Sequence, residues 1–212
     1  MVKPRVFLAD DHTLFVDAFR RYLEPEFEIV GTASNGLDVL ALAPRLHPDI
    51  VIIDLGLPLL NGVDAGRELK RLLPRTKIVI VTINEDSTVA GEALREWASG
   101  YLLKKSAGLE LIYALQQICK GKSYVTPIVA RKLDEDFIRC PEAHNQRLLT
   151  PRQRQVLQLL AEGRTMKQAA DVLNLTTRTI AFHKYRIMED FGMHSNSELL
   201  KLAIRENLVS VA

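Results

Sequence analysis

The chain has few of the residues that mark exported or membrane-embedded proteins. It has two cysteines, Cys119 and Cys140, among 212 residues, so a disulfide is possible but not expected. No apolar run approaches the ~20 residues that a membrane-spanning helix needs. Residues 1–5 lead directly into a predicted strand and lack the pattern of a signal peptide. These absences predict a cytoplasmic protein with no membrane partner.

A large excess of one charge is also lacking, but the charge is unevenly distributed. The formal net charge is +2, and 47% of the residues are hydrophobic and 25% charged, as in an ordinary globular protein. Residues 1–124 carry a net charge of −1, residues 125–147 of 0 and residues 148–212 of +3. The basic excess in the last third is a weak indication of nucleic-acid binding there.

Short apolar runs alternate with segments of helical periodicity in the first part of the chain. Predicted strands lie at 5–9, 29–33, 50–54, 77–82 and 100–103. Predicted helices lie at 13–23, 36–47, 61–73, 86–98 and 107–120. This alternation is typical of a buried parallel sheet with crossover helices. Five units predict an α/β, flavodoxin-like doubly wound fold with strand order 2-1-3-4-5.

Capping and turn residues divide the chain further. Asn35 is placed to cap the second helix and Ser106 the fifth. Residues 123–147 include two prolines and show no long periodic pattern, which predicts a linker with a short helix near 127–137. The predicted domains are therefore residues 1–122 and 148–212.

Residues 148–212 are predicted to be entirely helical. Capping boxes begin at Thr150, Thr165 and Ser195, each with Gln or Glu three residues later. A further helix is expected to begin at Thr176 or Thr177 and to follow the second after a tight turn. Four short helices in this arrangement predict a small all-α helix-turn-helix domain.

Polar side chains stand at the ends of four predicted strands of the first domain. They are Asp10 and Asp11 after the first strand, Asp54 after the third, Thr82 after the fourth and Lys104 after the fifth. Because the carboxyl ends of parallel strands share one edge of a sheet, these side chains are expected to form one pocket. Crowded carboxylates repel each other unless they share a cation, and hard oxygen ligands suit Mg²⁺.

The predicted pocket has the chemistry of phosphoryl transfer. An aspartate beside Mg²⁺ can accept a phosphoryl group as an acyl phosphate. Lys104 can then neutralise one phosphoryl oxygen, and the Thr82 hydroxyl can hydrogen-bond another. Such transfer needs mainly positioning and charge neutralisation. For any one of these residues alone, a solvated loop edge would be the simpler interpretation.

These motifs resemble the receiver domain of response regulators. The resemblance covers residues 1–122 and rests on Asp10-Asp11, Asp54-Leu55-Gly56-Leu57-Pro58, Asn61-Gly62, Val81-Thr82 and Gly100-Tyr101-Leu102-Leu103-Lys104. It implies that Asp54 is the phospho-acceptor and that Lys104 pairs with the phosphoryl group. It implies that Mg²⁺ is held by Asp10, Asp11, Asp54 and the Gly56 carbonyl.

The same resemblance implies a switch pair, Thr82 and Tyr101, in which the threonine moves toward the phosphate and the tyrosine packs inward. The alternative for Tyr101 is an ordinary aromatic of the core. Trp97, preceded by Glu96, stands where the family usually has small residues. It is interpreted either as a core filler or as a residue that reshapes the surface of the fourth helix.

Residues 148–208 resemble the DNA-binding domain of the NarL/FixJ (LuxR-type) transcription factors. The resemblance rests on Leu149-Thr150-Pro151-Arg152-Gln153-Arg154-Gln155-Val156-Leu157, Ala161-Glu162-Gly163, Thr179-Ile180, His183, Ile187 and Phe191-Gly192. It implies that this domain binds double-stranded DNA through its third helix.

The third helix has two distinct faces. Its inward positions are Ile180, His183, Ile187 and Phe191, and its outward positions are Arg178, Ala181, Phe182 and Tyr185 with Lys184 at the edge. In a major groove, Arg178 could bond guanine, and Ala181 or Phe182 could meet a thymine methyl group. Phosphate contacts are expected from Thr177, Lys184 and Arg186. A solvated helix face is the alternative for each residue.

The helix departs from related sequences at two places. Ala181 stands where relatives often have lysine, and Glu189-Asp190 where they often have basic residues. Both departures predict moderate intrinsic affinity for DNA, so that binding depends on a dimer.

Taken together, the motifs predict a response regulator that is not an enzyme. A sensor histidine kinase would phosphorylate Asp54, and the chain would then bind promoter DNA as a homodimer. Two alternatives remain open at this point. One is a constitutive DNA-binding protein whose receiver is only a dimerisation scaffold. The other is a phosphatase that uses Asp54 as nucleophile, although no general acid is evident near it.

Overall fold

A computed structural model describes residues 2–139 and 149–209. These residues divide into two compact units, one formed by residues 2–57 and 62–139 and the other by residues 58–61 and 149–209. The first is an α/β unit and the second is helical. Within the described residues, no helix is long and apolar enough to span a membrane.

The first unit is built on a parallel sheet. Its strands are β1 (Arg5–Ala9), β2 (Glu28–Ala33), β3 (Ile50–Ile53), β4 (Lys77–Thr82), β5 (Gly100–Leu103) and β6 (Tyr124–Val125). They pair in the order β2-β1-β3-β4-β5-β6, and every neighbouring pair is parallel. The predicted fold and the order of its five strands are confirmed. The sixth strand was not predicted, because two residues are too few to show a period.

Within residues 2–139, six helices accompany the sheet. They are α1 (Thr13–Leu23), α2 (Gly36–Leu46), α3 (Gly62–Leu72), α4 (Ser87–Glu96), α5 (Lys104–Cys119) and α6 (Pro127–Arg139). Asn35 caps α2, as predicted, by accepting a hydrogen bond from the Asp38 amide. The predicted cap of α5 at Ser106 is wrong. The helix begins directly at Lys104, and the Ser106 hydroxyl donates back to the Leu103 carbonyl at 3.3 Å.

Part of the predicted linker over residues 123–147 is regular structure. Residues 124–125 extend the sheet as β6, and the short helix predicted near 127–137 is confirmed as α6, which covers residues 127–139 of the same unit. Val129 of α6 is fully buried. The mixed charges of this segment obscured its buried positions, and the contacts that hold it are distant in the sequence. Any linker is therefore shorter than predicted. Cys140 and Pro141 lie outside the described residues.

The core of the first unit lies on both sides of the central strands. Every residue of β3 is buried, and α5 contributes Leu111 and Leu115 to the same core. Trp97, which follows α4, is only 4% exposed and lies against Gly66 of α3. A Cβ atom on Gly66 would lie 2.4 Å from the indole ring. Trp97 therefore fills the core, which was one of its two predicted roles.

The described part of the second unit, residues 149–209, contains four helices. They are α7 (Pro151–Ala161), α8 (Met166–Leu173), α9 (Thr177–Asp190) and α10 (Asn196–Arg205). All three predicted capping boxes, at Thr150, Thr165 and Ser195, are formed with both hydrogen bonds. Thr176 caps α9. Ile187 of α9 packs in the cluster formed with α7 and α10. The predicted helix-turn-helix domain is confirmed.

The contact between Trp97 and Gly66 gives a test of the core. The Gly66→Ala variant should lower the free energy of unfolding by about 1–3 kcal/mol, because the added methyl group overpacks the indole ring. Urea unfolding followed by the fluorescence of the single tryptophan measures this.

Gly108→Ala is the matched control. Gly108 lies within α5 with no heavy atom within 4 Å of an added Cβ, so alanine should raise the free energy of unfolding by up to about 1 kcal/mol through helix propensity. Stabilisation of both variants alike would show that Gly66 has room and that the packing described here is wrong.

Candidate functional site

The predicted pocket forms at the carboxyl edge of the sheet. Asp10 follows β1 and is 6% exposed, and Asp54 follows β3 and is 5% exposed. Lys104, the first residue of α5, places its Nζ 2.7 Å from Asp10 Oδ2 and 2.6 Å from Asp54 Oδ2. Asp11 lies beside them and is exposed. The sheet therefore brings together the three carboxylates and the ammonium group that the sequence predicted.

The charge of Lys104 is set by two opposing effects. Burial alone would lower the pKa of the ammonium group, but hydrogen bonds and charge interactions with Asp10 and Asp54 outweigh it. The net result is a pKa raised above the ordinary lysine value. Lys104 is therefore a cation at physiological pH, and it partly neutralises two carboxylates that would otherwise repel each other.

The acidic group can hold a metal ion. Asp10, Asp11, His12 and Asp54 each offer a ligand atom, and these atoms lie within 4.8 Å of one another. Asp54 Oδ1 is buried and has no hydrogen-bond partner among residues 2–139 and 149–209. A buried carboxylate oxygen without a donor is costly, and a bound cation would satisfy it. The donor set, three carboxylates at one sheet edge, fits a hard divalent ion.

Sequence analysis missed His12. Its backbone amide donates to Asp10 Oδ1 at 2.9 Å, and its ring Nδ1 lies 2.8 Å from Asp11 Oδ1 and 3.2 Å from Asp10 Oδ1. The only signal in the sequence was its position directly after the acidic pair. Gly56, predicted to offer its carbonyl, lies two residues after Asp54 and is exposed.

Thr82 and Tyr101, the predicted switch pair, meet at the backbone of one residue. The Asn84 amide donates to Thr82 Oγ1 at 3.2 Å, and the Tyr101 hydroxyl donates to the Asn84 carbonyl at 2.8 Å. Tyr101 is fully buried. Burial, with the charges of Asp86 and Asp54, raises the pKa of its phenol above the ordinary value. The phenol thus stays protonated and remains a donor.

The α9 helix presents the predicted outward residues unequally. Phe182 is 65% and Tyr185 59% exposed, and Thr177, Arg178 and Arg186 are also exposed. Ala181 and Lys184 are half-buried. Large exposed aromatic side chains beside basic ones mark a surface that contacts a partner.

Two features of α9 qualify the predicted contacts. Arg186 forms ion pairs with Glu189 at 3.1 Å and Asp190 at 3.4 Å, which occupy its guanidinium group. Ile180 and Ile187 are fully buried, as predicted. His183 is half-buried, and burial, assisted by the nearby charge of Arg152, lowers its pKa. His183 is thus placed as a neutral inward-facing residue.

Comparisons with known proteins agree with both units. The family model "Response regulator receiver domain" matches residues 6–116, and the family model "Bacterial regulatory proteins, luxR family" matches residues 147–203. The transcriptional regulatory protein YxjL of Bacillus subtilis (strain 168) is 32% identical over 213 residues, which cover 98% of this chain and 98% of YxjL.

Two further proteins are similar over nearly the whole chain. Response regulator GacA of Pseudomonas aeruginosa is 31% identical over 212 residues, or 98% of this chain and 99% of GacA. RcsB of Salmonella enterica serovar Typhimurium has been solved bound to a promoter in the presence of the phosphomimetic BeF₃⁻. The match to that structure covers 94% of this chain and 97% of the RcsB chain, with 27% sequence identity and a TM-score of 0.61.

The receiver match spans more than half of the chain, and relatives above 30% identity cover nearly all of it. The chain therefore belongs to the response regulators of the NarL/FixJ family, which are phosphorylation-controlled, DNA-binding regulators of transcription.

Proposed function

We propose that Asp54 accepts a phosphoryl group from a sensor histidine kinase, and that the phosphorylated chain binds promoter DNA as a homodimer. The observation that carries this proposal is the asymmetry of the Asp54 carboxylate. Its Oδ2 is held by Lys104 at 2.6 Å, whereas its Oδ1 is buried without a hydrogen-bond donor among the described residues. Oδ1 is thus open to a bound cation, and Oδ2 lies beside the ammonium group that would neutralise an incoming phosphoryl group.

In the proposed transfer, an Asp54 oxygen forms a bond to phosphorus while the bond between phosphorus and the kinase histidine nitrogen breaks. The histidine leaves with the electron pair. Lys104 neutralises one oxygen of the transferred group, so it gives up part of its contact with Asp10 or Asp54. The protein supplies positioning and charge, which is what phosphoryl transfer needs.

We propose Mg²⁺ as the cofactor. The residues that would hold it are the side chains of Asp10, Asp11 and Asp54 and the carbonyl of Gly56. When bound, the ion supplies positive charge for the phosphoryl oxygens and orients the reacting groups. His12 contacts both Asp10 and Asp11 and so fixes the orientation of two of these carboxylates.

Phosphorylation would act through the switch pair. The Thr82 hydroxyl accepts from the Asn84 amide, and a movement of the threonine toward the phosphoryl group would break this hydrogen bond. Tyr101 contacts the same residue through the Asn84 carbonyl, so the loop after β4 changes with it. The phosphoryl group thereby shifts an equilibrium between two conformations of the unit.

The second unit is proposed to place α9 in the major groove, consistent with the promoter-bound structure of RcsB. Arg178 would bond guanine, and Ala181 or Phe182 would meet a thymine methyl group, with Tyr185 beside them. Thr177 and Lys184 would contact phosphates, and Arg186 would do so by exchanging its ion pairs with Glu189 and Asp190 for a phosphate. A dimer places two such helices on half-sites about one helical turn apart.

The domain limits follow as proposals. We assign residues 1–122, extended by β6 and α6, to the receiver and residues 148–212 to the DNA-binding domain. We place the protein in the cytoplasm, because it acts on promoters. We propose that its output is regulation of transcription rather than turnover of a substrate.

The phospho-acceptor can be tested directly. The Asp54→Asn variant should take up no phosphoryl group from acetyl phosphate and Mg²⁺, because the amide is a poor nucleophile and leaves Lys104 with one carboxylate fewer. Intact-protein mass spectrometry measures the uptake. Asp17→Asn, at an exposed carboxylate of α1, is the matched control and should be phosphorylated normally. Equal uptake by wild type and Asp54→Asn would refute this assignment.

The DNA-binding face can be tested with a fragment that the phosphorylated chain selects from a random library. Arg178→Ala should weaken binding by ~1–3 kcal/mol and relax the preference for guanine at one position per half-site. Lys201→Ala, at an exposed cation of α10, should change affinity little. Fluorescence anisotropy measures both variants. A larger loss with Lys201→Ala than with Arg178→Ala would place the DNA on another face.

A further inference from the structure

Glu85 joins three elements of the first unit. It lies in the loop between β4 and α4, and each of its oxygens accepts a hydrogen bond from a different lysine. Oε1 lies 2.5 Å from Lys105 Nζ of α5, and Oε2 lies 2.7 Å from Lys132 Nζ of α6. The hydrogen bonds from Lys105 and Lys132 hold the pKa of Glu85 at about 2. The bridge is therefore charged throughout the physiological pH range.

The α6 helix has two other anchors on the same surface. At its start, the Thr126 amide donates to the Tyr101 carbonyl at 2.9 Å, and the Thr126 hydroxyl accepts from the Leu103 amide at 3.2 Å. Further along, Leu133 lies against Gly91 of α4, where an added Cβ would be 3.1 Å away. The helix thus covers α4 and the end of β5. Glu85 holds it to the loop after β4 through the ion pair with Lys132.

The loop that carries Glu85 also carries the switch contacts. The neighbouring residue, Asn84, binds Thr82 Oγ1 through its amide and the Tyr101 hydroxyl through its carbonyl. Glu85 is joined to Asn84 by one peptide bond. The Asn84 carbonyl, which accepts from the Tyr101 hydroxyl, lies in the same planar peptide unit as the Glu85 amide, so a rotation of this unit also displaces the backbone of Glu85.

We propose that Glu85 couples the phosphorylation site to α6. While Thr82 accepts from Asn84, the ion pair between Glu85 and Lys132 holds α6 on α4. When Thr82 turns to the phosphoryl group, the loop moves, the ion pair is lost and α6 is released. This inference rests on the proposed phosphorylation of Asp54. Since α6 precedes the second unit in the chain, its release lengthens the tether of the DNA-binding domain and so favours pairing of two copies on DNA.

The expected effect is modest, because both side chains of the ion pair are partly exposed, 41% for Lys132 and 36% for Glu85. Exposed pairs of this kind change an equilibrium by about two- to five-fold. A change of this size in the fraction of released α6 is measurable as hydrogen exchange of the α6 amides, which reports local opening.

The test is hydrogen–deuterium exchange of the full chain by mass spectrometry, with and without beryllofluoride and Mg²⁺. In wild type, beryllofluoride should speed exchange in α6 by about two- to five-fold. In the Lys132→Met variant, the α6 amides should already exchange at the fast rate without beryllofluoride. Adding beryllofluoride should then increase this rate little. Arg131→Met, at the exposed neighbouring cation on α6, should behave as wild type.

Glu85→Gln and the double variant Glu85→Gln/Lys132→Met complete the experiment. If the two residues act through one ion pair, the double variant should exchange no faster than either single variant. Unchanged α6 exchange in Lys132→Met, or additive effects of the two substitutions, would overturn the coupling.

Phosphate uptake measured on the same samples separates the two proposals. Uptake from acetyl phosphate without any change in α6 exchange would reject the role of Glu85 and leave the proposed function intact. Absence of phosphate uptake would reject the proposed function and, with it, the coupling of Asp54 to α6 through Glu85. This holds whatever α6 exchange the Lys132→Met variant shows.

Discussion

The buried ion cluster of Lys104 with Asp10 and Asp54 is the interaction on which the first unit depends. The ammonium lies within 2.7 Å of one oxygen of each carboxylate. Two carboxylates buried this closely repel each other unless they share a cation. The lysine therefore permits the charged, acid-rich edge to form at all. It also sets the reactivity of the site, because a phosphoryl group has to compete with these carboxylates for the same cation.

The position of Lys104 connects the acidic pocket to the rest of the first unit. It is the first residue of α5, which follows β5 without an intervening loop. Tyr101 stands three residues earlier on β5 and reaches Asn84 across the loop that follows β4. The proposed phosphorylation site, the proposed switch pair and α6 are thus linked through two short segments, residues 82–86 and 101–104. Small changes at the site need not travel far to reach the surface.

Much of this architecture is evident in the sequence, because local rules dictate it. The hydrophobic periods predicted five strands and their order, and the capping boxes at Thr150, Thr165 and Ser195 fixed the starts of three helices. The convergence of Asp10, Asp54 and Lys104 followed from the rule that parallel strands end at one edge.

The features that sequence analysis missed depend on contacts between distant residues. The docking of α6 rests on Thr126 with β5 and on Lys132 with Glu85, 47 positions away. Its segment has mixed charges and no clear period, so nothing local indicated a buried side. Ser106 satisfies the local rule for a cap, but the strand runs directly into α5 and leaves it inside the first turn.

The charge of α9 bears on how the chain binds DNA. Glu189 and Asp190 occupy Arg186, and Ala181 offers no charge, so the helix depends on Arg178, Lys184 and its exposed aromatic residues. A helix that carries so few cations outside ion pairs among its described residues gains little from phosphate contacts, which dominate affinity for DNA. Two domains bound together gain from effective concentration. Control by phosphorylation and dimer formation is consistent with this weak individual surface.

The most direct test of the account is genome-wide capture of DNA fragments by the purified chain, with and without beryllofluoride and Mg²⁺. The account predicts that one sequence motif with paired half-sites is enriched when beryllofluoride is present and is lost in its absence. Equal enrichment of the same motif under both conditions would contradict it, because DNA binding would then be independent of the pocket at Asp54.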